Sequence, residues 1–338
     1  MKIGIVNDMD MATQAIAATL RSSSEHQVVW TAKNGPEAIH LCRHNTPDLV
    51  LMDLVMPGMN GAQATREIMR SCPTGILVVT ASIGGNCGLG FEAMGAGAID
   101  IITTPVLVSR AGQCEFLHKI AQIEAIIASH QKPLAPLPAT PAASASGVPQ
   151  ADAAVVVIGC SAGGPAALAQ ILPELDPGGL ASVVIIQHID SSFVEELARW
   201  LQAIGKVPVR LVAEGEVLEP GQIYLAGKDG HIEAHATSRL HYDANLRGLA
   251  YQPSVDVFLT SLARNWHGRA LGIVLTGMGR DGAAGLRAMR DAGFYTIAQD
   301  AASSALFSMP KAAAPFAAEI LPLAAIASRI NRWIQTNH

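Results

Sequence analysis

Residues 155–164 read VVVIGCSAGG, and their reading decides the fold of the second half of the chain. The β-branched run Val155, Val156, Val157, Ile158 predicts a buried strand, because branched side chains fit a pleated surface. The glycines that follow permit a tight turn. Pro165 and an apolar series at Leu168, Ile171, Leu172 and Leu175 predict a helix opening directly after it. The G-x-S-x-G pattern at 159–163 therefore sits in a strand–turn–helix context, which lifts the Ser161 hydroxyl above a sheet edge. A glycine-rich turn of this kind also suits a phosphate, so the turn alone leaves two chemistries open.

Working outward, further strands are expected at 182–187, 209–212, 222–225, 270–275 and 295–298, with a hairpin arm at 231–235. Helices are expected at 193–204, 253–266 and 283–292, and a terminal one around 330–334. Alternation of this kind implies a doubly wound, mostly parallel α/β sheet. His188 and Asp281 each follow an apolar strand, as Ser161 does. On parallel neighbouring strands all three emerge at one sheet edge, where ligands bind in open α/β sheets. A serine needs a base to become a nucleophile, and the base needs a carboxylate to orient it. The order Ser…His…Asp differs from the Ser…Asp…His of α/β-hydrolases. Each residue alone has a plainer reading: His188 as a structural histidine, Asp281 as a helix cap. His231 is the rival base. No metal-ligand spacing is present in this segment.

The first segment has the same alternation. Strands are expected at 2–6, 28–30, 49–52 and 76–79, and a fifth ending at Thr104-Pro105; helices reach to Leu20 and span 35–42, 62–69 and 115–129. Asn7, Asp8, Asp53, Thr80 and Thr104 all stand at C-terminal strand ends. Two carboxylates and a hydroxyl converging at that edge suit Mg²⁺ and a phosphoryl group. Between the segments, residues 132–151 read KPLAPLPATPAASASGVPQA, a Pro/Ala/Ser composition without periodicity that predicts a semi-extended linker. The expected division is 1–130, linker 131–151, and 152–338.

Composition narrows the function classes. Of 338 residues, 50% are hydrophobic and 15% charged, so most of the chain can pack into cores. The net charge is −5 and no Lys/Arg block occurs, which argues against a nucleic-acid partner. No apolar run approaches the roughly 20 residues of a membrane span, so no membrane insertion is expected. The cysteines (Cys42, Cys72, Cys87, Cys114, Cys160) are scattered and odd in number. Together with an N-terminus that runs straight into a strand, they lead to the expectation of a reducing, cytoplasmic setting.

Residues 1–130 resemble a response-regulator receiver domain, in LVLMDLVMPGMNG at 49–61 and in Thr80-Ala81. The resemblance implies a flavodoxin-like (βα)5 fold. It also implies Asp53 as phospho-acceptor, Mg²⁺ held by Asp8, Asp53 and the backbone carbonyl of Val55, and Thr80 as the residue that binds the phosphoryl oxygens and reports the switch. The chain departs from the receiver pattern in Asn7 for an acid, Thr104 for a lysine and Ile101 for an aromatic; its IVND and TTP are similar to a WspF-like branch. Residues 155–310 resemble the catalytic domain of CheB-type protein-glutamate methylesterases, in IGCSAGGPAAL, IIQH, PSVDVF, GIVLTGMGRDGAAG and SMPKAA. By that resemblance Ser161 is the nucleophile, His188 the base, Asp281 its orienting group and the Met278 backbone N–H an oxyanion donor. The substrate implied is a methyl-accepting chemotaxis receptor, demethylated and in places deamidated. The implied phosphodonor is a sensor histidine kinase of the CheA type, and the esterase step needs no cofactor. The unphosphorylated receiver is expected to cover the active-site face, and phosphorylation to relieve this. The competing classes are a DNA-binding response regulator and an adaptor that holds a phosphate in the 159–164 turn.

Overall fold

Strands that read as unbroken apolar runs must be covered on both faces, and the computed structural model has that layering in both halves of the chain. It describes all residues except 23–25, 82–86, 106–108, 131–153, 190, 228–229, 236–238, 244–251 and 337–338; the expected linker at 131–151 lies outside the described residues. The chain divides into two compact units, Met1–Ala135 and Pro136–His338.

The first unit contains β1 (Lys2–Val6), α1 (Asp10–Arg21), β2 (Gln27–Ala32), α2 (Gly35–His44), β3 (Leu49–Met52), α3 (Gly61–Ser71), β4 (Gly75–Thr80), α4 (Cys87–Gly95), β5 (Asp100–Thr103) and α5 (Arg110–His130). Its strands are all parallel, in the order β2-β1-β3-β4-β5, the flavodoxin-like order. Local chemistry starts the helices where expected. Asn34 accepts the Glu37 N–H ahead of α2, and Asn60 forms a capping box with Gln63 at α3. Helix α4 was not expected: its CGLGFEAMG carries three glycines and no apolar stripe. Packing against the sheet holds it, since Ile101 fills the space a Cβ on Gly90 would need.

The second unit contains β6 (Ala154–Cys160), α6 (Gly164–Ile171), β7 (Ala181–Gln187), α7 (Val194–Ile204), β8 (Val209–Leu211), β9 (Glu216–Val217), β10 (Ile223–Leu225), β11 (His231–Ala234), β12 (Arg239–Asp243), α8 (Val255–Asn265), β13 (Ala270–Val274), α9 (Ala283–Asp291), β14 (Tyr295–Gln299), α10 (Ser308–Ala313), β15 (Glu319–Leu321) and α11 (Leu323–Gln335). Seven strands form a parallel sheet in the order β15-β14-β13-β6-β7-β10-β8. The hairpin arm at β11 pairs antiparallel with β12, which pairs with β9. Helix α6 ends at Ile171 and passes into a 3-10 turn at Leu172–Glu174, because Pro173 cannot continue an α-helix; Leu172 and Leu175 remain buried.

The chain leaves β6 toward β7 on one side and later returns to β13 on the other. The C-terminal ends of β6, β7 and β13 thus flank a topological switch point, the place where such sheets open a crevice. Helix α8 closes on the sheet there: a Cβ on Gly159 would stand 2.4 Å from Val255 Cγ1. Gly159→Ala is therefore expected to destabilise the second unit by about 1–3 kcal/mol through overpacking. Differential scanning calorimetry should show the loss in the second unit's transition and leave that of the first unchanged.

Candidate functional site

Register at the end of β6 and β7 builds the first part of the site. Cys160 pairs with Gln187, and the His188 N–H donates to the Cys160 carbonyl at 2.9 Å. Ser161 and His188 are therefore the next residues on adjacent parallel strands. Gln187, itself buried, locks both: its Nε2 donates to the carbonyls of Ser161 (2.9 Å) and His188 (3.0 Å), and its Oε1 accepts the Cys160 thiol. Gly164 is needed beside it, because a Cβ there would fall 2.0 Å from Gln187 Oε1. On the other flank, the Ser161 N–H donates to the Thr276 carbonyl (3.0 Å) and Thr276 Oγ1 donates to the Ala162 carbonyl (2.9 Å). The serine turn is thus tied to β7 on one side and to the loop after β13 on the other.

That loop carries Met278 and Asp281. Its backbone is braced by α10: Ser308 Oγ donates to the Gly277 carbonyl (2.9 Å), the Gly279 N–H donates to Ser308 Oγ (3.2 Å), and the Met309 N–H donates to the Gly277 carbonyl (3.0 Å). Gly277 lies against Ser161, for a Cβ on it would stand 2.8 Å from the Ser161 Cβ. The Asp281 carboxylate accepts His188 Nε2 on Oδ2 at 2.8 Å, with both side chains buried. Oδ2 also accepts the Val255 N–H (2.7 Å), while Oδ1 accepts the Ser254 hydroxyl (2.8 Å) and the N–H groups of Asp256 (2.9 Å) and Gly282 (3.1 Å). Burial alone would raise this carboxyl; the hydrogen bond and charge of His188, with the Asp256 N–H and the Ser254 hydroxyl, hold it below the ordinary carboxylate range. An ionised carboxylate only accepts, so Nε2 is the nitrogen that donates in this bond.

Two plainer readings are resolved by these contacts. Asp281 does cap a helix, but α8 rather than α9, whose own N-terminus it precedes: it receives the N–H groups of Val255 and Asp256, the first turn of α8. His231, the rival base, is fully buried, and its Nδ1 accepts the Ser254 N–H at 3.2 Å. It belongs to β11 of the three-stranded sheet and is engaged by the N-cap peptide of α8.

At the C-terminal edge of the first sheet, Asp53 follows β3 and Thr80 ends β4; both are buried, while Asp8 after β1 is exposed. Asp53 Oδ1 accepts the Leu54 N–H at 2.7 Å and the Val55 N–H at 3.5 Å. Burial pushes its carboxyl up to about 6, the Asp8 charge adds to the rise, and the two N–H groups oppose it. Asn7 offers less than an acid there: its Oδ1 accepts the Met9 N–H (2.9 Å), an Asx turn. Thr104 donates its N–H to the Thr80 carbonyl (2.8 Å), and Ile101 is buried under Gly90.

Residues 156–330 match the family model of the CheB methylesterase, and residues 3–113 that of the response regulator receiver domain. The chain belongs to the CheB methylesterase family. It is 44% identical over its full length to protein-glutamate methylesterase/protein-glutamine glutaminase 4 of Burkholderia thailandensis, covering 98% of that protein. It is 46% identical to protein-glutamate methylesterase/protein-glutamine glutaminase 3 of Pseudomonas aeruginosa, with 98% of each chain aligned. The crystal structure of the Thermotoga maritima CheB methylesterase catalytic domain matches 54% of the chain and all of its own length, at 30% identity and a TM-score of 0.52. No described helix is long and apolar enough to cross a membrane.

Sequence reasoning brought Ser161, His188 and Asp281 to one edge of this CheB methylesterase fold, and missed Gln187, Ser254 and Asp256. Gln187 stands next to His188 and had a signal, a polar residue closing an apolar strand. Ser254 and Asp256 lie in the PSVDVF stretch, where an N-cap serine reads as helix chemistry alone.

The raised Asp53 carboxyl yields a stability prediction with a definite sign. Folding lifts it from 3.8 to about 6, so the folded state binds the proton more tightly, and Asp53 costs stability as pH rises from about 4 to about 6, the full cost persisting above. Asp53→Asn is expected to stabilise the first unit by about 1–3 kcal/mol at pH 7 without divalent cations, and to be neutral near pH 3. Urea unfolding at the two pH values measures the difference.

Proposed function

We propose that Ser161, His188 and Asp281 form a nucleophile–base–carboxylate triad that hydrolyses glutamate γ-methyl esters on chemoreceptors. The observation that carries the reading is the 2.8 Å hydrogen bond between buried His188 and Asp281, with His188 and Ser161 each following the paired strand ends Gln187 and Cys160. Family membership supports the substrate class, since the relatives are named protein-glutamate methylesterases and protein-glutamine glutaminases. Ser161 Oγ attacks the ester carbonyl and its proton passes to His188 Nδ1. The resulting imidazolium is held by Asp281, which keeps its own charge and takes no proton. The Met278 backbone N–H donates to the developing oxyanion. Collapse expels methanol, which takes the proton from His188. Water then attacks the acyl-serine with His188 again as base, leaving a glutamate. The same steps on glutamine expel ammonia. None of them calls for a cofactor.

Asp53 is the proposed phospho-acceptor, with a sensor histidine kinase of the CheA type as donor. The residues fit Mg²⁺: the Asp8 and Asp53 carboxylates are close enough for one charge to raise the other, a repulsion that a divalent cation relieves, and the Val55 carbonyl is the third oxygen. Bound there, Mg²⁺ supplies the positive charge that neutralises a phosphoryl group. Threonine at 104 brings no cation to that group, and the Thr80 hydroxyl and the N–H groups after Asp53 are the donors proposed for it. The unphosphorylated receiver restrains the esterase, and phosphorylation relieves this in the cytoplasm.

Methanol release from methylated receptor membranes tests the reading. Ser161→Ala is expected to lower the rate at least about a thousandfold, and Asp53→Ala to remove stimulation by a small-molecule phosphodonor. Methanol release that survives Ser161→Ala contradicts the assignment.

A further inference from the structure

The Asp281 carboxylate has more donors than orienting one histidine requires, and they converge from the start of α8. Ser254 is the N-cap of that helix. Its hydroxyl donates to Asp281 Oδ1 at 2.8 Å while its oxygen accepts the Val257 N–H at 3.4 Å. Its own N–H is taken by His231 Nδ1 at 3.2 Å. His231 is fully buried, and among the described residues its Nε2 has no hydrogen-bond partner. A buried imidazole with one nitrogen left unmatched is costly, and in this position it fixes the rotation of the Ser254 peptide. The carboxylates are also exchanged between helices: Asp281, just before α9, receives the N–H groups of α8, and Asp256 in α8 receives the Gly285 N–H of α9 at 2.7 Å. The close approach needs Gly285, whose Cβ would stand 2.6 Å from the Leu259 Cβ.

We infer that Ser254, seated by His231, is a positioning residue for the triad: its hydroxyl fixes Oδ1 of Asp281 so that Oδ2 alone faces His188 Nε2. This rests on the triad proposed above. A carboxylate can rotate about its Cβ–Cγ bond and present either oxygen at varying angles. Pinning Oδ1 by the Ser254 hydroxyl and the Asp256 and Gly282 N–H groups leaves one orientation for Oδ2, and the His188 ring follows it. The hydroxyl also draws off part of the carboxylate's charge. The titratable groups around this carboxylate are His188 after β7, Asp256 in α8 and, behind Ser254, His231 of β11.

The test is methanol release by the full-length chain from methylated receptor membranes, with kcat and KM measured for the wild type, Ser254→Ala, Ser254→Thr and Ser161→Ala. Ser254→Ala is expected to lower kcat about ten- to a hundredfold with KM unchanged within about twofold. Ser254→Thr, which keeps the hydroxyl and a competent N-cap, should restore kcat within about threefold. Wild-type kcat in Ser254→Ala, a loss carried by KM in place of kcat, or failure of threonine to rescue would overturn the role. Activity persisting in Ser161→Ala instead strikes at the triad itself, so the two failures are distinguishable.

Discussion

The Asp281 carboxylate at the N-terminus of α8 is the interaction on which the second unit's site depends. A buried anion is expensive unless hydrogen bonds and opposite charge surround it. Here it receives the first N–H groups of a helix, whose dipole favours negative charge at that end, together with the Ser254 hydroxyl and the His188 ring. Structure and chemistry are served by the same bonds. The helix gains a cap, the loop after β13 is anchored to α8, and the histidine gains a fixed partner that stays ionised.

Everything else at the site maintains that geometry from the sheet side. Gln187 holds the carbonyls after β6 and β7, and Thr276 crosslinks the serine turn to the loop that bears Met278. Three glycines stand where a Cβ would push the layers apart: Gly159 against Val255, Gly164 against Gln187, and Gly277 against Ser161. The two units answer different electrostatic problems. In the first, burial and a neighbouring acid make the Asp53 charge unfavourable, a state that suits the role proposed for it as phospho-acceptor. In the second, Asp281 is stabilised as an anion, which suits a group that must stay charged through a catalytic cycle.

Much of this was legible in the residues themselves. The two strand–helix alternations, the sheet edge shared by Ser161, His188 and Asp281, and that shared by Asp8, Asp53 and Thr80 all followed from apolar runs ending in polar residues. Where the sequence reading fell short, tertiary contacts were the cause. Helix α4 has a glycine-rich sequence and forms because Ile101 packs under Gly90. The α6 periodicity ran on past Ile171, where Pro173 turns the chain. Asp281 before α9 has the sequence context of that helix's cap, and only the fold shows that it caps α8, since Asp281 and the Ser254 hydroxyl that donates to it are 27 positions apart. Asn7 stands where the receiver pattern has an acid, and its side chain turns back on its own loop.

The central claim is that Asp281 holds His188 by Nε2 and leaves Nδ1 to act as the base, the reverse of the assignment in chymotrypsin-like triads. Nitrogen-15 NMR of the full-length chain labelled at histidine reads this directly, with His188 assigned by comparison with His188→Gln. The neutral ring is predicted to carry its proton on Nε2, with Nδ1 showing the shift of an unprotonated nitrogen. A neutral His188 protonated on Nδ1 would contradict the account.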